Sequence, residues 1–135
     1  MTPSAPPSPG ARPRARHAAA AACLVLAACA AEPVARDQPK IVRGRELAPQ
    51  QIREECMRLV VGDRLDFEFS ASAPVDFNIH YHEGKTVIAP LSRDGLLADS
   101  GIFVPGLAHD YCLMWEAGPA GALLDYRIRL RSRAP

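Results

Sequence analysis

Aromatic side chains are scarce in this chain: four Phe, three Tyr and one Trp make up 6% of its 135 residues. Net charge is nearly absent as well, at +1, which leaves no basic footprint for nucleic acid. The apolar run over residues 18–28 falls well short of the about 20 residues that span a bilayer as a helix. Catalytic signatures are missing too. Ser70 and Ser72 sit in no Gly-x-Ser-x-Gly elbow. There is no glycine-rich phosphate loop and no His-Glu-x-x-His. The alternating Asp66 and Glu68 are an ordinary wet strand face, and the chain is read as non-enzymatic. What is present is turn chemistry: thirteen prolines and nine glycines suit short strands joined by turns, in a length that fits one domain.

The first 28 residues read as an address. Residues 1–16 are proline-rich, carry Arg12, Arg14 and Arg16, and contain no acid. A small-residue apolar run follows, which is the pattern of a secretory signal. No adjacent Arg-Arg pair points to twin-arginine export. The run ends in Leu26-Ala27-Ala28-Cys29, which resembles the lipobox of bacterial lipoproteins. That resemblance implies lipidation of Cys29 after cleavage, and several acyl chains give stable anchoring. Cys23 lacks the branched residue upstream. Ala30 in place of an aspartate leans toward the periplasmic face of the outer membrane. Without residues 1–28 the chain holds 13 basic and 15 acidic side chains, a net of −2.

Residues 29–50 have mixed charge and little periodicity, and read as a lipidated N-terminus and flexible tether. Ile41 and Val42 are placed in a first edge strand, and Ala48-Pro49 in a short helical turn reaching Glu55. The domain proper is expected over 51–135. Its central stretch is 75–82, where Val75, Phe77, Ile79 and Tyr81 alternate with Asp76, Asn78, His80 and His82, the pattern of a strand with one dry and one wet face. Further short strands are expected at 57–61, 64–70, 85–89, 101–104, 110–116 and 122–131. Breaks fall at Gly62-Asp63, Ala71 to Pro74, Glu83-Gly84, a loop over 90–100, Pro105-Gly106 and 118–121. Both faces of 110–116 are apolar, as in a strand buried on both sides. The sum is an all-β fold, an antiparallel sandwich of about seven or eight short strands.

With Cys29 lipidated, Cys56 and Cys112 remain, and in an exported chain two remaining cysteines read as one disulfide. It would close a loop of 56 residues, worth roughly 4 kcal/mol in the loop-entropy account. The alternative is a thiolate metal site using Cys112.

Glu55-Cys56-Met57, Val61-Gly62-Asp63-Arg64-Leu65, Pro74-Val75-Asp76-Phe77-Asn78-Ile79 and Asp110-Tyr111-Cys112-Leu113-Met114-Trp115 together resemble the GOLD domain. That is the small β-sandwich of early secretory cargo receptors, in which a first-strand cysteine pairs with one in the penultimate strand. The resemblance covers about residues 55–131. It implies an interaction module without chemistry of its own and a Cys56–Cys112 pair. The chain departs from the family in lacking a following transmembrane helix or coiled coil and in having His80-x-His82, so the cargo-receptor role does not carry over. The whole chain looks like small bacterial lipoproteins.

His80 and His82 share a strand face about 6.6–6.8 Å apart along the strand. They are candidate ligands for copper or zinc, with His109 as the candidate third. The bland alternative is a pair of surface imidazoles hydrogen-bonded to neighbours. His109, Cys112 and Met114 stand in the wrong order for a blue-copper site. Arg127, Arg129, Arg131 and Arg133 alternate along the last strand, where charge keeps an edge from pairing; the sharper reading is a strip facing anionic lipid. The function expected is a membrane-anchored envelope lipoprotein that binds a protein or envelope component through Asp76, Asn78, His80 and His82. The alternative is a periplasmic copper- or zinc-binding lipoprotein.

Overall fold

A computed structural model describes residues 32–133, with Met1 and Ser4. Cys29 and most of the segment read as a secretory signal lie outside the described residues. The described chain is all-β. Its strands are β1 (Pro39–Leu47), β2 (Ile52–Leu59), β3 (Arg64–Glu83), β4 (Thr86–Phe103), β5 (His109–Ala117) and β6 (Ala122–Arg131). They form one antiparallel sheet in the order β1-β6-β3-β5-β2, with β4 on the other edge of β3.

The 20-residue β3 determines the architecture. Its first part, from Arg64 to Ala71, pairs with β6, and its last part, from Val75 to Tyr81, pairs with β5. Pro74 sits at the changeover, where no ladder partner requires an N–H, so a proline is tolerated inside a long strand. Opposite the changeover, Ala71 to Pro74 face the single residue Leu97 of β4, a bulge that bends the strand. The bend turns β5 over β6. Trp115 of β5 stacks on Tyr126 of β6 at 4.7 Å between ring centroids and meets Phe69 edge-on at 6.0 Å, although β5 and β6 share no ladder. Phe67 and Phe77 complete the aromatic row, at 5.1 Å. Five of the eight rings are thus gathered in one row, where each large ring buries the most surface, and Tyr81, Tyr111 and Phe103 form a second group.

The expected core faces are observed. Leu65, Phe67 and Phe69, then Val75, Phe77, Ile79 and Tyr81, and Ala122 to Leu130 on even positions are all buried. Three expectations are corrected. First, there are six strands in one curled sheet rather than seven or eight short strands in two sheets, because the hairpin of β3 and β4 belongs to both ends of the curl. The segments 64–70 and 75–82 are one strand, and 85–89, 90–100 and 101–104 are another. Pro90 and Asp94-Gly95 read as loop signals but lie on an edge strand, where proline is allowed and glycine serves a bulge. Gly95, at φ +67°, donates its N–H to Asp76 Oδ1 at 2.8 Å across that bulge. Second, no helical turn leads to Glu55. Residues 48–51 form a turn closed by Gln51 N–H to Ala48 O at 3.0 Å, and β2 starts at Ile52. Third, β5 is buried on one face: Tyr111, Leu113 and Trp115 point inward, while Cys112 and Met114 are half-exposed.

The stretch read as tether also carries structure. Residues 39–47 are β1, paired along β6. The arm before it is fastened at several points. Val34 is buried, Arg36 bridges to Leu130, and Asp37, at φ +62°, turns the chain into β1. The turn is held by Asp37 N–H to Leu130 O at 2.7 Å and by Ser132, whose N–H and hydroxyl both reach the Asp37 carboxylate at 3.1 Å.

Where β4 crosses the phenyl ring of Phe67, only a glycine fits. A Cβ on Gly101 would lie 2.9 Å from Phe67 Cζ, whereas one on Gly106 would meet nothing. Gly101→Ala is therefore expected to destabilise the domain by about 1–3 kcal/mol. Gly106→Ala should stay within about 0.5 kcal/mol of the parent. Urea midpoints of the two variants check this directly.

Candidate functional site

Period-two geometry places Cys56 of β2, Cys112 of β5 and His80 of β3 in one row across the outward face of the sheet, since Cys112 is the register partner of both others. Cys56 and Cys112 form a disulfide with their Cα atoms 4.0 Å apart. The expected pair is present, and it joins directly paired neighbours. It also leaves Cys112 with no thiolate to give a metal.

His80 is nearly inaccessible, at 4% exposure, although it lies on the outward face. Its Nδ1 is 2.7 Å from Asn78 Oδ1, and its Nε2 is 3.6 Å from a carboxylate oxygen of Glu54 on β2. His82 stands edge-on to it, with ring centroids 5.1 Å apart, and is exposed. Burial lowers the His80 pKa; Glu54 pulls it back up, His82 pushes it down, and the net direction is downward. His80 is thus a neutral imidazole at pH 7, tucked beside the disulfide. Asp76 is occupied as acceptor for the Gly95 N–H. Of the four residues expected on this face, Asp76, Asn78 and His80 are used in local contacts, and Asp76 and His82 are exposed.

His109 does not join them. It falls in step with Tyr111 and Leu113 and packs against Tyr81 at 4.8 Å, on the opposite face of the sheet from His80 and His82. Its pairing with them as a third metal ligand is corrected by the same alternation that unites the other two. Among the described residues, no group of three or more His, Cys, Asp or Glu is placed to hold a metal ion.

The arginine row is also placed differently from the edge expected. β6 is an inner strand, between β1 and β3. Arg127, Arg129 and Arg131 lie opposite Glu68, Asp66 and Arg64, and Arg131 is bonded to Asp66. The face is a mixed-charge ladder rather than a basic strip. Arg133 lies past the end of β6, its side chain against Gly62.

A charged group inside the fold went unnoticed in the sequence. Glu55 points inward from β2 and is 4% exposed. Its carboxylate accepts hydrogen bonds from Tyr126 Oη at 2.5 Å, from Lys40 Nζ at 2.8 Å and from the Arg53 guanidinium. Burial alone would raise the Glu55 pKa; the bonds from Lys40, Tyr126 and Arg53 outweigh it and hold the group below the ordinary carboxylate value. Burial and the bond to Glu55 push the Tyr126 hydroxyl up to about 12. Asp63, at 1% exposure, is held down in the same way: against the cost of burial it accepts Arg36 at 3.0 and 3.1 Å and the Val60 N–H at 2.9 Å. The available signal was the alternation of Arg53, Glu55, Met57 and Leu59, masked by the two charges at its start.

No family model and no curated protein sequence matches the chain.

Two outcomes follow from this geometry. Glu55→Gln is expected to cost roughly 3 kcal/mol at neutral pH, as removal of one partner from a buried ion cluster does. A lowered carboxyl pKa contributes stability that is present above the unfolded-state value and lost as pH falls through the folded-state value. The variant's urea midpoint should therefore depend less on pH than the parent's across that acid range. Separately, calorimetric titration with zinc or copper(II) at micromolar metal should show no stoichiometric site; one tight equivalent lost in His82→Ala would reverse that.

Proposed function

We propose that this chain is a bacterial envelope lipoprotein, anchored through acylated Cys29 on the periplasmic face of the outer membrane. Its domain acts as a non-catalytic binding module of GOLD-like kind, built as one curled sheet. The observation that carries the reading is the Cys56–Cys112 disulfide. Disulfides persist in oxidising compartments, and residues 1–29 address the chain to one. The disulfide links β2 to the penultimate strand; the GOLD resemblance implies the penultimate position of Cys112, with β1 an added strand ahead of Cys56. The curl of the sheet, which lays β5 over β6, supports a two-layered relation to that family.

The recognition surface is the outward face around the disulfide. The disulfide, the Asn78–His80 bond and the Asp76–Gly95 bond fix its backbone, and His82 projects from it. A fixed surface with one exposed amphipathic ring suits recognition of a protein or envelope component, since a preorganised site loses little entropy on binding. The engagement of Asp76, Asn78 and His80 in local bonds supports binding rather than chemistry.

Two results test this. Cys29→Ser should abolish incorporation of labelled fatty acid and release the protein from the membrane fraction; retained label on that variant would exclude the lipobox. A photo-crosslinking residue at position 82 should give a discrete adduct in cells. The same residue at the exposed Leu123, on the other half of the sheet, should give none.

A further inference from the structure

The arm that leads from the anchor to the sheet is bound down almost to its start. Lys40, on β1, donates to the Glu32 carbonyl as well as to Glu55. Val34 is buried in the core. Arg36 grips Asp63 and donates a second bond to the Arg58 carbonyl of β2 at 3.3 Å. Residues 32–36 therefore lie across the gap between β1 and β6 on one side and β2 on the other. Of the two buried acids on that side, Asp63 takes its cation Arg36 from this arm, and Glu55 takes one of its two, Lys40, from the strand the arm enters. Releasing the arm would leave the buried Asp63 carboxylate without its cation, which is a strong penalty.

The length of chain outside the bound part then sets a limit. From Cys29 to Glu32 there are three residue steps, which reach at most about 11 Å when fully extended. Resting on the reading of Cys29 as the acylated residue, we infer that the lipid surface itself is what this side of the domain docks against. The arm, flanked by the outer edges of β1 and β2, faces the headgroups. The domain does not hang from a flexible tether of some twenty residues. Its outward disulfide face is carried within a domain's width of the membrane.

The single tryptophan, Trp115, reports on this without added labels. The full mature protein, purified with its native acyl groups, is placed in vesicles of phosphatidylethanolamine and phosphatidylglycerol that contain dansyl-labelled phosphatidylethanolamine. Mass spectrometry of the N-terminal peptide first establishes whether Cys29 is acylated. The comparison is with a variant carrying a Gly/Ser linker of about 20 residues between Ala31 and Glu32, whose mean span of roughly 25 Å would let the domain leave the surface. The linker leaves every bonded residue of the arm in place, so both proteins should fold alike. Energy transfer from Trp115 to the headgroups should be at least about twofold greater for the native protein than for this longer-leashed one. Acylated protein whose transfer is no greater than that of the linker variant overturns the docking while leaving the anchor intact. An unmodified Cys29 overturns the anchor and the docking together.

Discussion

The exchange of partners along β3 is the constraint on which the rest of the molecule depends. One strand cannot lie in two ladders on the same edge without bending where it changes from one to the other. Here the bend is built from the four residues Ala71 to Pro74 set against one residue of β4. From that follow the curl of the sheet, the meeting of β5 with β6 across the interior, and the single aromatic row of Phe67, Phe77, Phe69, Trp115 and Tyr126. It also follows that the outward faces of the two halves differ in character. One carries the cross-strand disulfide and the histidine pair; the other carries a ladder of arginines set against acids.

The interior is not purely apolar, and its charges are arranged by the same curl. Glu55 is reached from three strands and Asp63 from the arm, so two carboxylates that water would ordinarily solvate are solvated by the chain instead. Buried ion groups add little net stability compared with well-packed apolar residues, but they are unforgiving of a missing partner. That asymmetry makes them effective at specifying geometry. The arm can occupy one path in which Lys40 and Arg36 both reach their acids.

Much of the fold was legible because period-two alternation reports a one-sided strand directly. The inward residues of β3 and β6, and the outward placement of Asp76, Asn78, His80 and His82, are as the alternation implies. Strand ends were not legible. Pro90, Gly95 and Pro74 carry strong local turn signals, yet at an edge, a bulge and a change of ladder those residues cost the sheet nothing, so tertiary pairing overrides them. The cysteine pairing was expected from the count of two cysteines left beside Cys29, and the disulfide is present. The burial of His80 was not, since it depends on Asn78 beside it and on Glu54 two strands away. Glu55 and its cations were missed for a related reason: charged residues at inward positions look, in one dimension, like the end of a strand.

The order of strands in the sheet bears on how the chain is completed as it is made. β1, the first of the described strands, has β6, the last of them, as its ladder neighbour. β6 also lies along the first half of β3, so the final segment slots between two strands that have waited for it. Until it arrives, the aromatic row has no Tyr126 and Glu55 lacks one of its donors. Contacts between distant parts of a chain form late and slowly. The ten residues of β6 are thus the keystone of assembly, and a nascent chain that stops short of them exposes two sheet edges at once.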